Sequence, residues 1–473
     1  MKKIIYNLTI MFGFLLVFSC NNMQKEKKEM QSKTVFTGRD GEIELVVLNP
    51  GHFHASLLQK FSQKHVNDTV LVYAPNGSEL NQYLASIEGY NNRSENPTAW
   101  KEMVYSGNDY LEKMLEEKKG NVVILAGNNL KKTEYISKAI NEGYNVLSDK
   151  PMAINTENFE LLKSAYDSAR THNVYLYDVM TERYDILYTL TREIANNKEL
   201  FGELQNGTSD NPSVVMESVH HYYKEVSGNV LVRPAWFYDL AQQGEGIVDV
   251  ATHLVDLINW QCFPDSVIDY QKDVNITSAS HWPTKLTLND FTRSTKLDAF
   301  PDFLSRYVNN SVLDVYGNGK INYQVKGKNI EVSAIWNYEA PKGGGDMYSA
   351  TVKGTKATIE IIQNKAENYI KQLYVEKDKS TDEKEFESAI TKTIEQLQKV
   401  YPYVSVKRVS GSRYQIVVPV ESRKGHEDYF GYVAQKYFGY LVNRNMPEWE
   451  ISNTIAKYYI TTKALEMAKD SKP

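Results

Sequence analysis

Residues 42–61, EIELVVLNPGHFHASLLQKF, decide the fold. Glu42 to Leu48 is a short apolar run of strand length, rich in Val, Leu and Ile. Asn49-Pro50-Gly51 is turn chemistry, and ASLLQKFSQK (55–64) reads as a helix. A strand that opens through a tight turn into a helix is the first unit of a dinucleotide-type domain. In such a unit, backbone N–H groups at the helix N-terminus reach the pyrophosphate. Gly51 allows the close approach that this requires. The full G-x-G-x-x-G is absent, because Asn49 and His54 stand at the first and third glycine positions. The turn therefore also reads as an ordinary strand–loop–helix. His52 and His54 raise the question of a metal, but the sequence offers no neighbouring Cys or carboxylate, and no metal is expected.

The alternation continues downstream. Strands are predicted at 69–73, 121–127, 144–148 and 173–180. Helices are predicted at 108–119, at 133–143 with Gly143 as the C-cap, and at 159–170. This order indicates a parallel sheet with right-handed crossovers. The second strand ends Ala74-Pro75-Asn76-Gly77, without the Asp or Glu that binds an NAD ribose. Asn76 could bond a hydroxyl or only cap the turn, so the choice between NAD and NADP is not readable. Beyond residue 184 the texture becomes strand-rich. Residues 320–339 alternate around the Lys326-Gly327-Lys328 turn, and 347–362 form a hairpin through Gly354. Helices are expected at 385–400, 426–442 and 448–469. The predicted fold is α/β, with a Rossmann-type parallel-sheet domain over 41–184. An α+β domain with a large, mainly antiparallel sheet, for substrate binding and oligomerisation, is predicted over 185–473.

Composition sets the outer bounds. The chain has 473 residues, 42% hydrophobic and 24% charged, enough apolar content for sizeable cores. A mean hydropathy of -0.48 excludes a polytopic membrane protein, and a pI near 6.1 argues against nucleic acid. Lys2 and Lys3 precede a short apolar stretch, residues 4–18, which reads as an export signal. Val17-Phe18-Ser19-Cys20 resembles a bacterial lipobox. A lipoprotein signal over 1–20, lipidation of Cys20 and a flexible tether over 21–40 are expected, with the protein anchored on the periplasmic or cell-surface side of a bacterial membrane. Cys262 is then the only other cysteine, and no disulfide is expected.

Two segments carry the chemistry: Gly143 to Pro151, ending Asp149-Lys150-Pro151, and Gly244 to Asp256, GEGIVDVATHLVD. Asp249 and His253 are four apart and share a helix face, with Asp256 three further on. A carboxylate beside a histidine orients the ring and raises its basicity. Lys150 ends a strand where open α/β sheets bind ligands. Together these residues suit proton transfer to or from an alcohol as hydride moves to a nicotinamide.

At these residues the sequence resembles the Gfo/Idh/MocA oxidoreductase family. Asp149-Lys150-Pro151 is similar to its Glu-Lys-Pro. Residues 244–256 are similar to its G-G-G-x-x-x-D-x-G-x-H-x-x-D, with Glu245 and Ala251 replacing glycines. Asn128, Asn129 and Lys132 fall on its Pro-Asn-x-x-His, where only Asn129 matches. LNPGHFHA, ESVHHYYKEVSG and Gly343-Gly344-Gly345-Asp346 are similar to an exported Bacteroidetes-type branch with a distinctive C-terminal domain. The resemblance implies NAD or NADP as cofactor and a sugar or polyol secondary alcohol as substrate. It implies Lys150, His253 and Asp249 as catalytic residues. Asn49, Gly51, His52, Phe53, His54, Asn76, Asn128, Asn129, Asp149 and Lys150 would face the cofactor. Tyr184, His220, His221, Arg233, Trp236 and Asp249 are candidate substrate contacts, with Arg183 and Tyr222 in the same segments. A tightly held cofactor and a homodimer or homotetramer are further expectations. The alternatives are a nicotinamide-dependent glycosidase or lyase working through a transient keto-sugar, and a non-catalytic carbohydrate-binding lipoprotein.

Overall fold

The computed structural model describes residues 35–226 and 229–470. Cys20, the expected export signal and most of the expected tether lie outside them. Six parallel strands form the first sheet: β1 (Leu45–Leu48), β2 (Thr69–Ala74), β3 (Lys101–Ser106), β4 (Val122–Leu125), β5 (Asn145–Asp149) and β6 (Leu176–Val179). Their order is β3-β2-β1-β4-β5-β6. The order reverses between β1 and β4, which places a ligand crevice at the C-terminal ends of these two strands. β1, β4, β5 and β6 are buried at every position, because helices cover both faces.

The helix expected over 55–64 is a single turn, His54–Leu57. Gln59 and Lys60 donate to carbonyls three residues back, which tightens the turn. The Gln59 carbonyl then accepts the Trp100 indole N–H at 2.6 Å, a side-chain bond that replaces helix continuation. Two further elements, the helix Ser78–Asn92 and edge strand β3, fill the stretch between β2 and the next helix.

The second sheet has ten strands. Its centre is Val214–Tyr223, which pairs parallel with Lys328–Glu339 and antiparallel with Met347–Lys353. The other pairings are antiparallel, including both hairpins read from the sequence. The helix Ala251–Cys262 packs under this sheet. Its approach is set just upstream, where a Cβ on Gly246 would lie 1.7 Å from the Gly317 carbonyl oxygen. Only glycine lets the Gly246–Asp249 turn press onto the strand Val312–Val325, and that contact fixes where Asp249 and His253 project.

The chain returns to its first half at the end. Phe430, Val433, Tyr437 and Leu441 of the helix His426–Asn443 share a core with Val47, Leu57 and Val72. The last helix, Glu448–Asp470, packs on both halves: Tyr458 joins the core of the first, Ile460 and Leu465 that of the second. Packing therefore does not follow a single division at residue 184. No helix among the described residues is long and apolar enough to cross a membrane.

Candidate active site

A cavity of about 500 Å³ lies between the two sheets, at the C-terminal edge of the parallel one. Lys150, Asp249 and His253 meet on its wall. Lys150 Nζ donates to Asp249 Oδ1 at 2.6 Å, and Gln243 Nε2 donates to Asp249 Oδ2 at 2.9 Å. Burial disfavours the Lys150 ammonium, but Asp249 and Asp149 outweigh it, and the net shift is upward. Burial also works against the Asp249 carboxylate. Lys150 and the Gln243 amide overcome it and hold the acid below its ordinary range. His253 is pushed well below the usual imidazole range, first by burial and then by Lys150. Its Nδ1 is buried with no hydrogen-bond partner among the described residues. At neutral pH the lysine and aspartate are charged and the histidine is not.

The β1 turn closes on the loop after β4. Asn49 adopts φ 48°, and the Gly51 and His52 N–H groups both donate to the Ala126 carbonyl at 3.2 Å. A Cβ on Gly127 would lie 2.5 Å from the Asn49 carbonyl, so the two loops touch through glycine backbone. The Asn49 amide turns towards the Tyr110 and Tyr135 hydroxyls rather than the cavity. Asn76 is exposed at the β2 end. A carboxylate from the first turn of the helix Ser78–Asn92 stands beside the β1 turn. Glu79 Oε2 lies 3.1 Å from where a Gly51 Cβ would sit, and Oε1 accepts the Trp236 indole N–H at 2.8 Å.

On the other side of the crevice, Asn128 Nδ2 donates to Gln242 Oε1 at 2.5 Å. Asn129 bonds the Gln242 and Gln243 carbonyls at 3.0 and 2.8 Å. Lys132, which stands in place of the family histidine, is fully buried and donates to Asn129 Oδ1 at 2.5 Å. Burial lowers its pKa to about 8. His54 Nδ1 lies 3.0 Å from Asp149 Oδ2. His52, Phe53, His54, Gly127, Asn129, Asp149 and Lys150 thus form one continuous wall. The strand order, the glycine cradle at Gly51 and Gly127, and this wall leading to Lys150 fit a dinucleotide laid across the switch point.

The opposite wall is aromatic and polar. His220 stacks on Trp336 at 4.9 Å, a flat apolar face suited to a sugar ring. Arg233 donates to the Tyr222 and His221 carbonyls at 2.8 Å and lies over Phe237 and Trp336. His220 and His221 both direct Nδ1 at Asp346, at 3.3 and 3.2 Å, and Lys224 pairs with the same carboxylate. His220, Arg233 and Trp236 line the cavity, whereas His221 is buried behind it.

Tyr184 is not brought to the cavity. It lines a separate surface groove with Tyr432 and Tyr440, because the turn Thr181–Tyr184 points it away. Arg183 and Asp256 pair with each other in the interior and do not line this cavity. Tyr222 is buried against Trp336. Residues without a local signal in sequence also enter the site: Gln243, Tyr188, Lys371, and His426 at the start of a helix far along the chain.

Residues 47–178 match the family model described as "Oxidoreductase family, NAD-binding Rossmann fold", and residues 190–469 match "Putative oxidoreductase C terminal domain". A crystal structure from Parabacteroides merdae ATCC 43184, described as a putative oxidoreductase, is 49% identical. The match covers 92% of this chain and 99% of that one, with a TM-score of 0.90. Levoglucosan dehydrogenase in complex with NADH and levoglucosan is 13% identical, covering 90% and 97% at a TM-score of 0.57. The WlbA dehydrogenase from Bordetella pertussis, with NADH and UDP-GlcNAcA, is 16% identical, covering 92% and 97% at 0.52. These last two share the fold. No curated protein matches the chain. With an NAD-binding Rossmann domain and the oxidoreductase C-terminal domain joined across one cleft, the chain belongs to the Gfo/Idh/MocA oxidoreductase family.

Proposed function

We propose that this oxidoreductase acts on a secondary alcohol of a sugar or polyol, with NAD or NADP held in place through turnover. The observation that carries the reading is the Lys150–Asp249 pair at 2.6 Å with neutral His253 on the same wall. The nicotinamide, when bound, supplies reversible hydride acceptance. Lys150, kept protonated by Asp249, donates a hydrogen bond to the reacting oxygen and stabilises negative charge there. His253, kept neutral, accepts the hydroxyl proton and returns it in the reverse direction. Asp249 holds the ammonium in place, and Gln243 holds Asp249. Trp336 and His220 offer the flat face, while Asp346 and Arg233 offer polar contacts. The dehydrogenases of the same fold that were crystallised with levoglucosan or a nucleotide sugar support the substrate class.

We further propose export as a lipoprotein anchored at Cys20, and assembly into a homodimer or homotetramer through the large sheet. Free nicotinamide is scarce outside the cytoplasm, which is why retention of the cofactor belongs to the reading. Native mass spectrometry of protein folded in vivo with its signal intact tests it: a retained NAD(H) or NADP(H) mass is expected. Failure to bind either dinucleotide at millimolar concentration would overturn the redox reading in favour of a carbohydrate-binding lipoprotein. Lys150→Ala should abolish turnover without releasing the cofactor. Accumulation of a keto-sugar separates net oxidation from the glycosidase or lyase alternative, which would release a cleaved sugar with no net change at the nicotinamide.

A further inference from the structure

The sequence places no carboxylate beside His52 and His54. The fold does, from 95 residues away. His52 and His54 follow the end of β1, and Asp149 ends β5, with β4 between them. His54 Nδ1 is 3.0 Å and His52 Nδ1 is 4.0 Å from the same Asp149 Oδ2. One donor atom from each of the three residues lies within 4.8 Å of the other two. The two imidazoles stand edge to face, ring centroids 4.0 Å apart. A tetrahedral cation with ligand bonds of about 2.1 Å needs donor atoms about 3.4 Å apart. The two separations to Asp149 bracket that value, and a bound cation would also draw the two imidazoles together and take His52 Nδ1 from the His54 N–H that it now accepts at 3.3 Å.

We infer that His52, His54 and Asp149 form a binding site for a divalent transition-metal cation of the zinc type. Two imidazoles and one carboxylate are the donor chemistry of such ions, and three protein ligands leave coordination open. All three residues line the interdomain cavity, so the open side faces it. In the dinucleotide-free protein a water completes the coordination. Two ammonium groups lie nearby, but each has its own partner. Lys150 is neutralised by Asp249, and Lys132 is held by Asn129 Oδ1. Among the described residues this is the only set of three or more His, Cys, Asp or Glu that converges in this way. Asp249, His253 and Asp256, which follow one another along the chain, do not converge in this way. Asp256 is spent on Arg183 and Lys457.

The test uses the full exported protein without an affinity tag, stripped with chelator and free of dinucleotide, so that it stands apart from the redox reading. Zinc and cobalt(II) are titrated calorimetrically, and cobalt is also followed by its visible absorption. One equivalent per chain is expected, with cobalt bands of low-coordinate nitrogen and oxygen ligation. His54→Gln and His52→Gln should each weaken binding at least tenfold, and His426→Gln, a cavity neighbour outside the triad, should not. Circular dichroism establishes that each variant is folded, and the two triad variants are independent, so either alone decides. Absence of saturable binding, or equal affinity in wild type and the folded triad variant, overturns the site and leaves His54–Asp149 as a hydrogen bond only.

Discussion

Asp256 offers the sharpest test of how the two halves are joined. It lies one turn beyond His253 on the helix Ala251–Cys262 and is 3% exposed. Arg183, from the turn after β6, grips it through Nε at 2.6 Å and Nη2 at 2.7 Å. Arg183 Nη1 also donates to Glu450 at 2.8 Å. Lys457 Nζ bridges Asp256 and Asp178 at 2.9 and 2.8 Å. The network thus ties the parallel sheet to the helix that carries His253. Asp256→Asn leaves one acceptor for three charged donors and turns an amide donor towards them. Breaking a buried pair costs about 3–5 kcal/mol, and the lower end applies because Glu450 and Asp178 still hold both cations. A loss of about 3 kcal/mol corresponds to roughly 3–5 °C in Tm for a cooperative unit of this length. Burial opposes the Asp256 carboxylate, but Arg183 and Lys457 outweigh it and hold its folded pKa far below the ordinary value. Its stabilisation is therefore complete above the unfolded carboxylate pKa and disappears as pH falls through the folded one. Urea denaturation of both proteins at pH 7 and in acid measures this. The gap should be full at pH 7 and shrink below about pH 4. A loss under about 1 kcal/mol at pH 7 would show that the network is not what joins the halves.

Four further outcomes follow from the site and its supports. The neutral state of His253 requires kcat/KM to stay level as pH falls past 6.5, since the imidazole protonates only well below that value; an acid limb centred at 6.5 or higher would contradict its burial. His253→Asn should lower kcat by about 10²–10⁴, read with the sugar that gives turnover. Glu79, with its carboxylate beside Gly51, should disfavour a dinucleotide carrying an additional phosphate. Fluorescence titration should show NADH bound about tenfold more tightly than NADPH (~1.4 kcal/mol), and Glu79→Gln should narrow the ratio. Gly246→Ala places a methyl group 1.7 Å from the Gly317 carbonyl oxygen, so the helix start must move. Soluble yield and Tm should fall, and a variant as stable as wild type would mean that the close contact at Gly246 does not hold this turn.

The parallel sheet was legible because its strands are buried on both faces and therefore read as unbroken apolar runs, LVVL at 45–48 and VVIL at 122–125. Edge strand β3, KEMVYS, has no buried position, and nothing in its pattern separates it from a loop. The helix Ser78–Asn92 buries only Leu80, Tyr83 and Ile87, too sparse a stripe to register. In the site, spacing located Asp249 and His253, and strand-end position located Lys150. What spacing cannot show is a meeting across the fold. Asp149 reaches His54 from 95 residues away, and Asn128 reaches Gln242 from 114. Tyr184 sat in the right segment but on the wrong side of its turn. Asp256 matched a motif position yet serves the interior, because Arg183 and Lys457 reach it first.

The different protonation of Lys150 and His253 follows from one difference. Burial acts against the charged form of both, and at the lysine neighbouring carboxylates, Asp249 first, outweigh it. Asp249 could in principle serve either neighbour. Its orientation is decided by Gln243, whose amide takes Oδ2 and leaves Oδ1 to the ammonium. Gln243 belongs to the short segment whose main chain bonds Asn129 across the crevice, beside Gln242 on Asn128. The placement of the proton in the cavity is thus set by contact between the two halves of the molecule. A sequence that kept Lys150, Asp249 and His253 but lost Gln243 would preserve the motif and free the carboxylate to turn. The ammonium would then stand desolvated beside a histidine, with the partner that separates their roles no longer held.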